Sequence, residues 1–537
     1  MLLGAGAVVV VVALVVTAAV VVPRMLGGSS SENAFAIADL SEDMERDWEF
    51  DFALGDSGYE YAAPSVWSVG EDEAVVMTRL ESLGGLAGEV DSSWYAGIEA
   101  DYQAGWDAYD EWQATDPGFS SPGSEWWAEN QEGLTDSYGY NQGWSDNQYG
   151  SFGDNLPEEP DLPSSQPTLT KLNLRNGEAQ WEINLEDALE GFHAPTHGLY
   201  GGMAGFVTGE QNAVILRWGG DDVDENNNRT YHLAAVSTDS GEVLSQAAVD
   251  FYPELYAYSE GVVLMRQSSY PGESEPDSRS VAEYRNAASL DEAAWVSELE
   301  LEGFGDGVIL TDGPDGDILR LTGWSGNSGS DAENYYISLE DGAELEEFAR
   351  LGQRWIVTVD GEYVEVSSRG DGIELLGVDA ALDETWDDVV EARSYTVVHD
   401  ALYIADGSGD RRDVMRINPA TGDEMWDRTA RESFSYIHEA SDGDYVYLIG
   451  DDALTVLDAA DGAEVFSLGR LEGTPRVHPG DSRLYTVSDR EITAYEWNGE
   501  RDWRWRYGGS EEGETVIRAG QHLLLVDAER QTLYGLD

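Results

Sequence analysis

The sequence predicts an all-β chain folded as a β-propeller, and three observations predict it. The last third repeats: Ile417 to Trp426 recurs as Val456 to Phe466 and again as Ala494 to Trp503, at intervals of 40 and 37 residues. A period of ~40 with strand-like flanks marks a propeller, in which one repeat is one four-stranded blade. Each copy also reads as strand, turn, strand, tight turn, strand. Tyr445 to Ile449 is a β-branched and aromatic run, Gly450-Asp451-Asp452 a turn, Leu454 to Leu457 a second strand, and Ala460-Asp461-Gly462 a turn whose glycine can take positive φ. Finally, a bulky ring stands four positions beyond the turn glycine at Gly177/Trp181, Gly422/Trp426, Gly462/Phe466 and Gly499/Trp503. A large ring at a fixed place in every blade would fill the wedge between neighbouring sheets.

The chain opens on an apolar run. Val8 to Val22 is interrupted only by Thr17, and the run extends back to Met1. A membrane span needs ~20 such residues, whereas a cleaved signal carries ~7–15. Residues 1–23 are therefore read as an uncleaved transmembrane or signal anchor, with a cleaved signal as the alternative. No basic residue precedes the run, and Arg24 directly after it runs against the positive-inside rule for an exported chain. The small-residue match Ala34-Phe35-Ala36 lies well past the run. Residues 24–45 read as a flexible linker that includes Gly27-Gly28-Ser29-Ser30-Ser31.

Residues 46–85 contain Asp47 to Phe52, Val66 to Val69 and Ala74 to Met77, which read as strands of a first blade. Residues 86–167 read as an acidic, aromatic, low-complexity insertion ending in the Pro-rich linker Pro157 to Pro167. Eight of the chain's 18 tryptophans fall between Trp48 and Trp144, among Asp, Gln, Asn, Gly and Ser, and the low aliphatic content argues against an independent core. This stretch is read as a loop inserted between strands, or as an arm that offers ring faces to a polysaccharide or a partner protein.

Residues 168–537 read as the propeller, with blade markers at Trp181, 244, Trp295, 345, Trp386, Trp426, Phe466 and Trp503. The weaker upstream copies are Val236 to Leu244, Tyr284 to Trp295 (with Leu290-Asp291-Glu292 in place of the glycine turn), Tyr336 to Gly342 and Val378 to Trp386. The last repeat ends at Thr532 to Asp537, the strand before a glycine turn, so a strand from elsewhere must complete it if the ring is to have no open edge. Glu178 to Ile183 would close an eight-bladed ring, and Asp47 to Phe52 would add a further blade. Eight blades are expected, with seven and nine left open.

The pattern Leu-Asp-x-x-x-Gly-x-x-x-Trp, best at Ile417 to Trp426 and Leu457 to Phe466, resembles the repeat of the pyrroloquinoline-quinone (PQQ)-like propellers. The resemblance spans roughly residues 168–537 and is best at 412–537. It implies the propeller fold and leaves activity open, since the group includes quinoprotein dehydrogenases as well as a non-catalytic scaffold of the bacterial outer-membrane protein assembly machinery. A dehydrogenase of this kind sandwiches its quinone between a Trp and, commonly, a vicinal disulfide, holds calcium with carboxylates and amides, and uses an Asp as base. This chain has no cysteine, so the disulfide cannot form, and thiolate metal sites and cysteine catalysis are excluded with it.

Other chemistry is thin. Calcium wants six to eight oxygens at defined spacing. Asp222, Asp224 and Asn226 alternate suitably, but the sixth position lacks glycine and Leu233 stands where the closing Glu belongs. Asp312 to Asp317 is a second acidic loop. His193 and His197 flank Pro195, which argues against a helix that would put them on one face. The nearest match to Gly-x-Ser-x-Gly, Gly323 to Asn327, lacks the last glycine, and no Gly-Lys-Ser/Thr phosphate loop occurs. No catalytic residues are therefore assigned, and no cofactor is expected, PQQ with calcium being the alternative.

Charge decides the rest. There are 106 Asp and Glu against 29 Lys and Arg, a net charge of −77, and Lys171 is the sole lysine. Nucleic acid is disfavoured as a partner, because phosphate binding needs Lys and Arg clusters. Such acidity also repels itself in dilute buffer and is relieved by salt. The resulting expectation is a membrane-tethered propeller on the extracytoplasmic side, acting as a non-catalytic binding or scaffold module for a protein or polysaccharide of the cell envelope. The alternatives are a PQQ-dependent dehydrogenase and a carbohydrate-binding protein.

Overall fold

The computed structural model describes residues 37–41, 44–52, 60–82, 167–192 and most of 204–536. These residues form nine antiparallel sheets, eight of four strands and one of three. Seven of the nine sheets are simple meanders of four consecutive strands. Blade 1 is Glu60–Ser68, Glu73–Ser82, Thr168–Asn173 and Ala179–Asn184, and blades 2 and 3 run from Ala204 to Val249 and from Glu254 to Leu299. Blade 4 has three strands, Gly303–Gly313, Gly316–Trp324 and Ala332–Ser338, and a 3-10 helix, Glu346–Leu351, follows where a fourth strand would stand. Blades 5 to 8 run from Trp355 to Ala392, Ser394 to Thr429, Tyr436 to Gly469 and Arg476 to Arg506.

Blade 9 is built from both ends of the chain. Glu514–Ala519, His522–Asp527 and Thr532–Leu536 supply three strands, and Arg46–Asp51 adds antiparallel to Thr532–Leu536 as the fourth, with Trp48 opposite Gly535 and Asp51 opposite Thr532. The ring therefore has nine blades where eight were expected. The reason is the choice of closing strand: Glu178 to Ile183 is already the outer strand of blade 1, paired with Thr168–Asn173. The expected anchor at residues 1–23 lies outside the described residues, and among the described residues no helix is long and apolar enough to cross a membrane. The insertion at 86–167 likewise lies almost wholly outside them. By chain order it joins the second and third strands of blade 1, at the opposite end of the sheet from the turn that carries Gly177.

The core is divided among the seams between blades. Every neighbouring pair shares a buried cluster: blades 6 and 7, for instance, share Val398, Tyr403, Val414, Trp426, Val446 and Leu448. One cluster runs from Leu524 and Leu533 of blade 9 through Val75 and Leu169 of blade 1 to Val214 and Leu216 of blade 2, which closes the circle. Burying apolar area at ~25 cal/mol per Å² at nine separate seams makes each blade's stability depend on its neighbours, as in other repeat architectures.

A single device recurs at the seams. The indole of one blade lies over the turn glycine of the next and donates its N–H to the carbonyl three residues before that glycine. Trp48 donates to Leu174 O at 2.8 Å, Trp181 to Thr238 O at 3.0 Å, Trp295 to Leu339 O at 3.1 Å, Trp386 to Pro419 O at 2.9 Å and Trp426 to Ala459 O at 2.9 Å. The glycines are required twice over. Gly462 has φ +66°, and a Cβ there would sit 2.6 Å from the Trp426 ring; Gly177 has φ +69° and would place one 2.6 Å from Trp48. Phe466 covers Gly499 in the same way without a polar contact.

Between blades 2 and 3 and between blades 4 and 5 the device is replaced, and each replacement is compensated. In blade 2 the position four beyond Gly241 is Ser245, while Leu244 beside it is exposed. The Ser245 hydroxyl replaces the indole N–H, donating to Ala287 O at 2.6 Å and accepting from Leu290 N at 3.1 Å. Leu290, fully buried, stands where the next blade's glycine would be, so small and large have changed sides of the seam. In blade 4 residue 345 begins no fourth strand. Instead Phe348 of the 3-10 helix packs with Tyr336 and with Leu382, which takes positive φ (59°) in the glycine's place.

Candidate functional site

The tryptophans singled out in the sequence are spread around the ring, one to a blade, and do not converge. Trp295, Trp386, Trp426 and Phe466 are buried between blades, while Trp181 and Trp503 are half-buried. Trp503 differs from the others in that its indole N–H, though buried, has no hydrogen-bond partner among the described residues. For the five indoles that donate, the acceptor lies in a turn between third and fourth strands, whereas blade 9 takes its fourth strand from the other end of the chain.

A strap covers that seam instead. Ile37, Leu40 and Met44 bury themselves against Tyr485, Trp503, Trp505 and Tyr507. Ile37 N donates to Pro479 O of blade 8 and Ala38 N to Gln521 O of blade 9, both at 2.8 Å, so the strap ties the two blades together. The Tyr485 hydroxyl accepts from Leu40 N at 2.9 Å and donates to Asp39 Oδ1 at 3.2 Å. Burial pushes the Tyr485 hydroxyl up to about 12, helped by the Asp39 carboxylate beside it. At the next seam Asp72 of blade 1 bonds His522 of blade 9 at 2.8 Å and Arg175 at 2.6 Å. Burial opposes ionisation of Asp72, but the hydrogen bonds from Arg175 and His522 outweigh it and hold the carboxyl below its usual range.

The candidate calcium ligands fall largely outside the described residues. Asp222 lies near the end of the strand Ala213–Val223, and Asp224 and Asn226 lie outside the described residues, as do His193 and His197. Asp317 of the second acidic loop accepts from the Tyr258 hydroxyl at 3.1 Å. Among the described residues no three His, Asp or Glu side chains are grouped to hold a metal ion.

One surface has a chemistry of its own. Blade 8 with its flanks, residues 470–507, carries seven arginines and seven carboxylates, and so is neutral in a chain of net charge −77. Its outer strand, Arg501–Arg506, reads Arg-Asp-Trp-Arg-Trp-Arg. Alternation sends Trp503 and Trp505, followed by Tyr507, toward blade 9 and the strap, where Trp505 and Tyr507 stack at 5.7 Å. Arg504 and Arg506 stand on the other side, with side chains 39% and 64% exposed, and share the single carboxylate of Glu491 at 3.5 and 3.3 Å. Asp502, the strand's only acid, is held by Arg483 at 2.6 Å. Its hydrogen bond raises the Arg483 guanidinium further above its ordinary value. Sequence reading missed this strand as a surface because its one marker, Trp503, was assigned to packing; the arginines between the rings were the available signal.

The profile of a family described as "Outer membrane protein assembly factor BamB" matches residues 410–537, the stretch from the end of blade 6 to blade 9. Residues 410–537 thus match a PQQ-like repeat family, and the described residues fold as a β-propeller. Solved structures similar to it include BamB from Moraxella catarrhalis, at 12% identity and TM-score 0.33, covering 69% of this chain and 91% of that one. A quinohemoprotein alcohol dehydrogenase from Pseudomonas putida is similar at 10% identity and TM-score 0.32, over 70% of this chain and 72% of that one. Sqt1 from Saccharomyces cerevisiae is similar at 10% identity and TM-score 0.34, over 60% and 92%. No curated protein matches the sequence.

Proposed function

We propose that this chain is a non-catalytic binding or scaffold propeller, tethered at the cell membrane by residues 1–23, with its blades on the extracytoplasmic side and a protein partner in the cell envelope. The observation that supports it most is the commitment of the tryptophans. Trp181, Trp295, Trp386 and Trp426, to which a quinone site would look for a stacking floor, each spend their N–H on the next blade and have a ring face covered by its turn. The protein must supply floor, metal ligands and base before a quinone can carry hydride chemistry. These four seam indoles do not fit a quinone floor, because each has a face covered by a turn, and the chain has no cysteine pair to complete one.

The test is spectroscopic and kinetic. The full chain, incubated with PQQ and calcium, is scanned for a protein-bound quinone band and assayed for dye reduction with alcohols and sugars. Neither a bound band nor turnover is expected. Turnover above background that a chelator abolishes would overturn the reading. Protease protection on intact cells tests the placement: the blades should be digested from outside, and blades spared by the protease would put them on the inner side.

A further inference from the structure

We propose that the outer strand of blade 8, Arg501–Arg506, is a docking edge that an extended acidic peptide segment of a partner protein joins as a fifth strand. This rests on the scaffold reading above and names the surface and the chemistry of the partner.

Each blade ends in an outer strand whose far side presents unpaired N–H and C=O groups, a template for another strand. A propeller has as many such edges as blades, and charge is one way to keep them unpaired. The outer strands of the other eight blades are neutral or acidic. Arg501–Arg506 is the exception among the described residues, with three arginines against one aspartate. It is last in its sheet, hydrogen-bonded to Glu491–Glu496 on one side only.

The charges on it are available. Arg504 and Arg506 share one carboxylate between them, so each keeps donors to spare, and Asp502 is already neutralised by Arg483. A guanidinium offers five donors in a planar fork suited to carboxylates. An added strand must alternate as this one does. On the arginine side it would place carboxylates, directly across from Arg504 and Arg506, where opposite charges on facing strands stabilise the pair. On the other side it would place apolar or aromatic residues beside the row of Trp503, Trp505 and Tyr507. The chain has one strand of this kind: Asp47, Trp48, Glu49, Phe50 and Asp51 alternate acid with ring, and they join blade 9 as its fourth strand from a distance in sequence. A folded acidic body would meet the repulsion of the whole −77 chain, whereas a short extended segment meets mainly the local field of blade 8, because charges beyond ~8–10 Å are screened at ordinary ionic strength.

The probe is a fluorescent ten-residue peptide alternating Glu and Tyr, titrated into the full chain and followed by anisotropy. Saturable one-to-one binding is expected, weakening with salt. Arg504→Glu with Arg506→Glu should weaken it about tenfold or more, as removal of an interface charge pair does, while Arg428→Gln on blade 6 should leave it unchanged. Circular dichroism melts of the double variant check its fold. Peptides N-methylated at one alternate set of residues should lose binding and those methylated at the other set should retain it, since only one set faces the edge. Equal binding of a Lys-Tyr peptide, indifference to the double substitution, or tolerance of both methylated sets would overturn the proposal. So would binding to vesicles rich in anionic lipid in place of the peptide. None of these results bears on the quinone assay, so this inference and the scaffold reading can fail separately.

Discussion

Trp426 and Gly462 should be coupled, and the coupling can be worked from the seam between blades 6 and 7. Trp426 is 5% exposed, donates to Ala459 O at 2.9 Å and lies on Gly462. Trp426→Ala removes a packed ring and leaves a cavity, at a cost of ~3–5 kcal/mol. Gly462→Ala meets two penalties: a left-handed conformation at φ +66°, worth ~1–2 kcal/mol for an L-residue, and a Cβ forced to within 2.6 Å of the indole, an overpacking worth a further ~1–3 kcal/mol. Once the ring is gone the second penalty has no partner, so Gly462→Ala in the Trp426→Ala background should retain only the backbone cost. The double variant should therefore be more stable than the sum of the singles by ~1–3 kcal/mol, within the range measured for residues in contact. Urea unfolding in molar NaCl of the parent, both singles and the double gives the cycle. Additivity within ~0.5 kcal/mol would mean that ring and glycine do not touch, and the seam device would be refuted.

Three further outcomes are expected. Ser245→Ala strips two hydrogen bonds from the exchanged seam and leaves Ala287 O and Leu290 N without that partner, so it should cost ~1–3 kcal/mol by denaturant titration; an unchanged midpoint would show that the hydroxyl is not needed. The strap should make stability fall at high pH: Tyr485 is raised in the folded chain to about 12, so its contribution is whole below the unfolded value of ~10 and is lost as pH climbs through the folded one. Tyr485→Phe should flatten that part of the profile, and an identical profile in the variant would contradict the assignment. Net charge −77 should make the melting temperature rise from low to molar NaCl as carboxylate repulsion is screened; a flat response would mean that the charges are already compensated locally.

What could be read from the sequence was the part of the fold that is local. Gly422 to Trp426 and Gly462 to Phe466 carry their spacing within one hairpin, so period and turn were visible. What could not be read was non-local. Asp47 to Phe52 was one of two candidates to complete the last repeat, but nothing local chooses it over Glu178 to Ile183; only the pairing of Arg46–Asp51 with Thr532–Leu536 across the whole chain does. The seam of blades 2 and 3 was misregistered by one residue, because Ser245 stands in for a ring and the neighbouring Leu244 looks more like a marker. Leu382 gives no turn signal in the sequence, because positive φ is unusual for a branched side chain. At the candidate site, Arg-Asp-Trp-Arg-Trp-Arg was in plain view. Its meaning depends on standing at the edge of a sheet while every other described outer strand is neutral or acidic, and that comparison requires the topology.

The most direct test of the nine-bladed ring is a cross-link, which the absence of native cysteine makes clean. The Thr532 hydroxyl donates to Asp51 Oδ1 at 2.9 Å across the closing pair, and Asn184 is the residue that would face Thr532 if blade 1's outer strand closed an eight-bladed ring instead. Asp51→Cys with Thr532→Cys and Asn184→Cys with Thr532→Cys are oxidised in parallel and run on non-reducing gels. The nine-bladed ring predicts that the first pair forms a disulfide in the folded chain, giving a compact band that reductant removes, while the second stays reduced. A disulfide between residues 184 and 532, with none between 51 and 532, would contradict it.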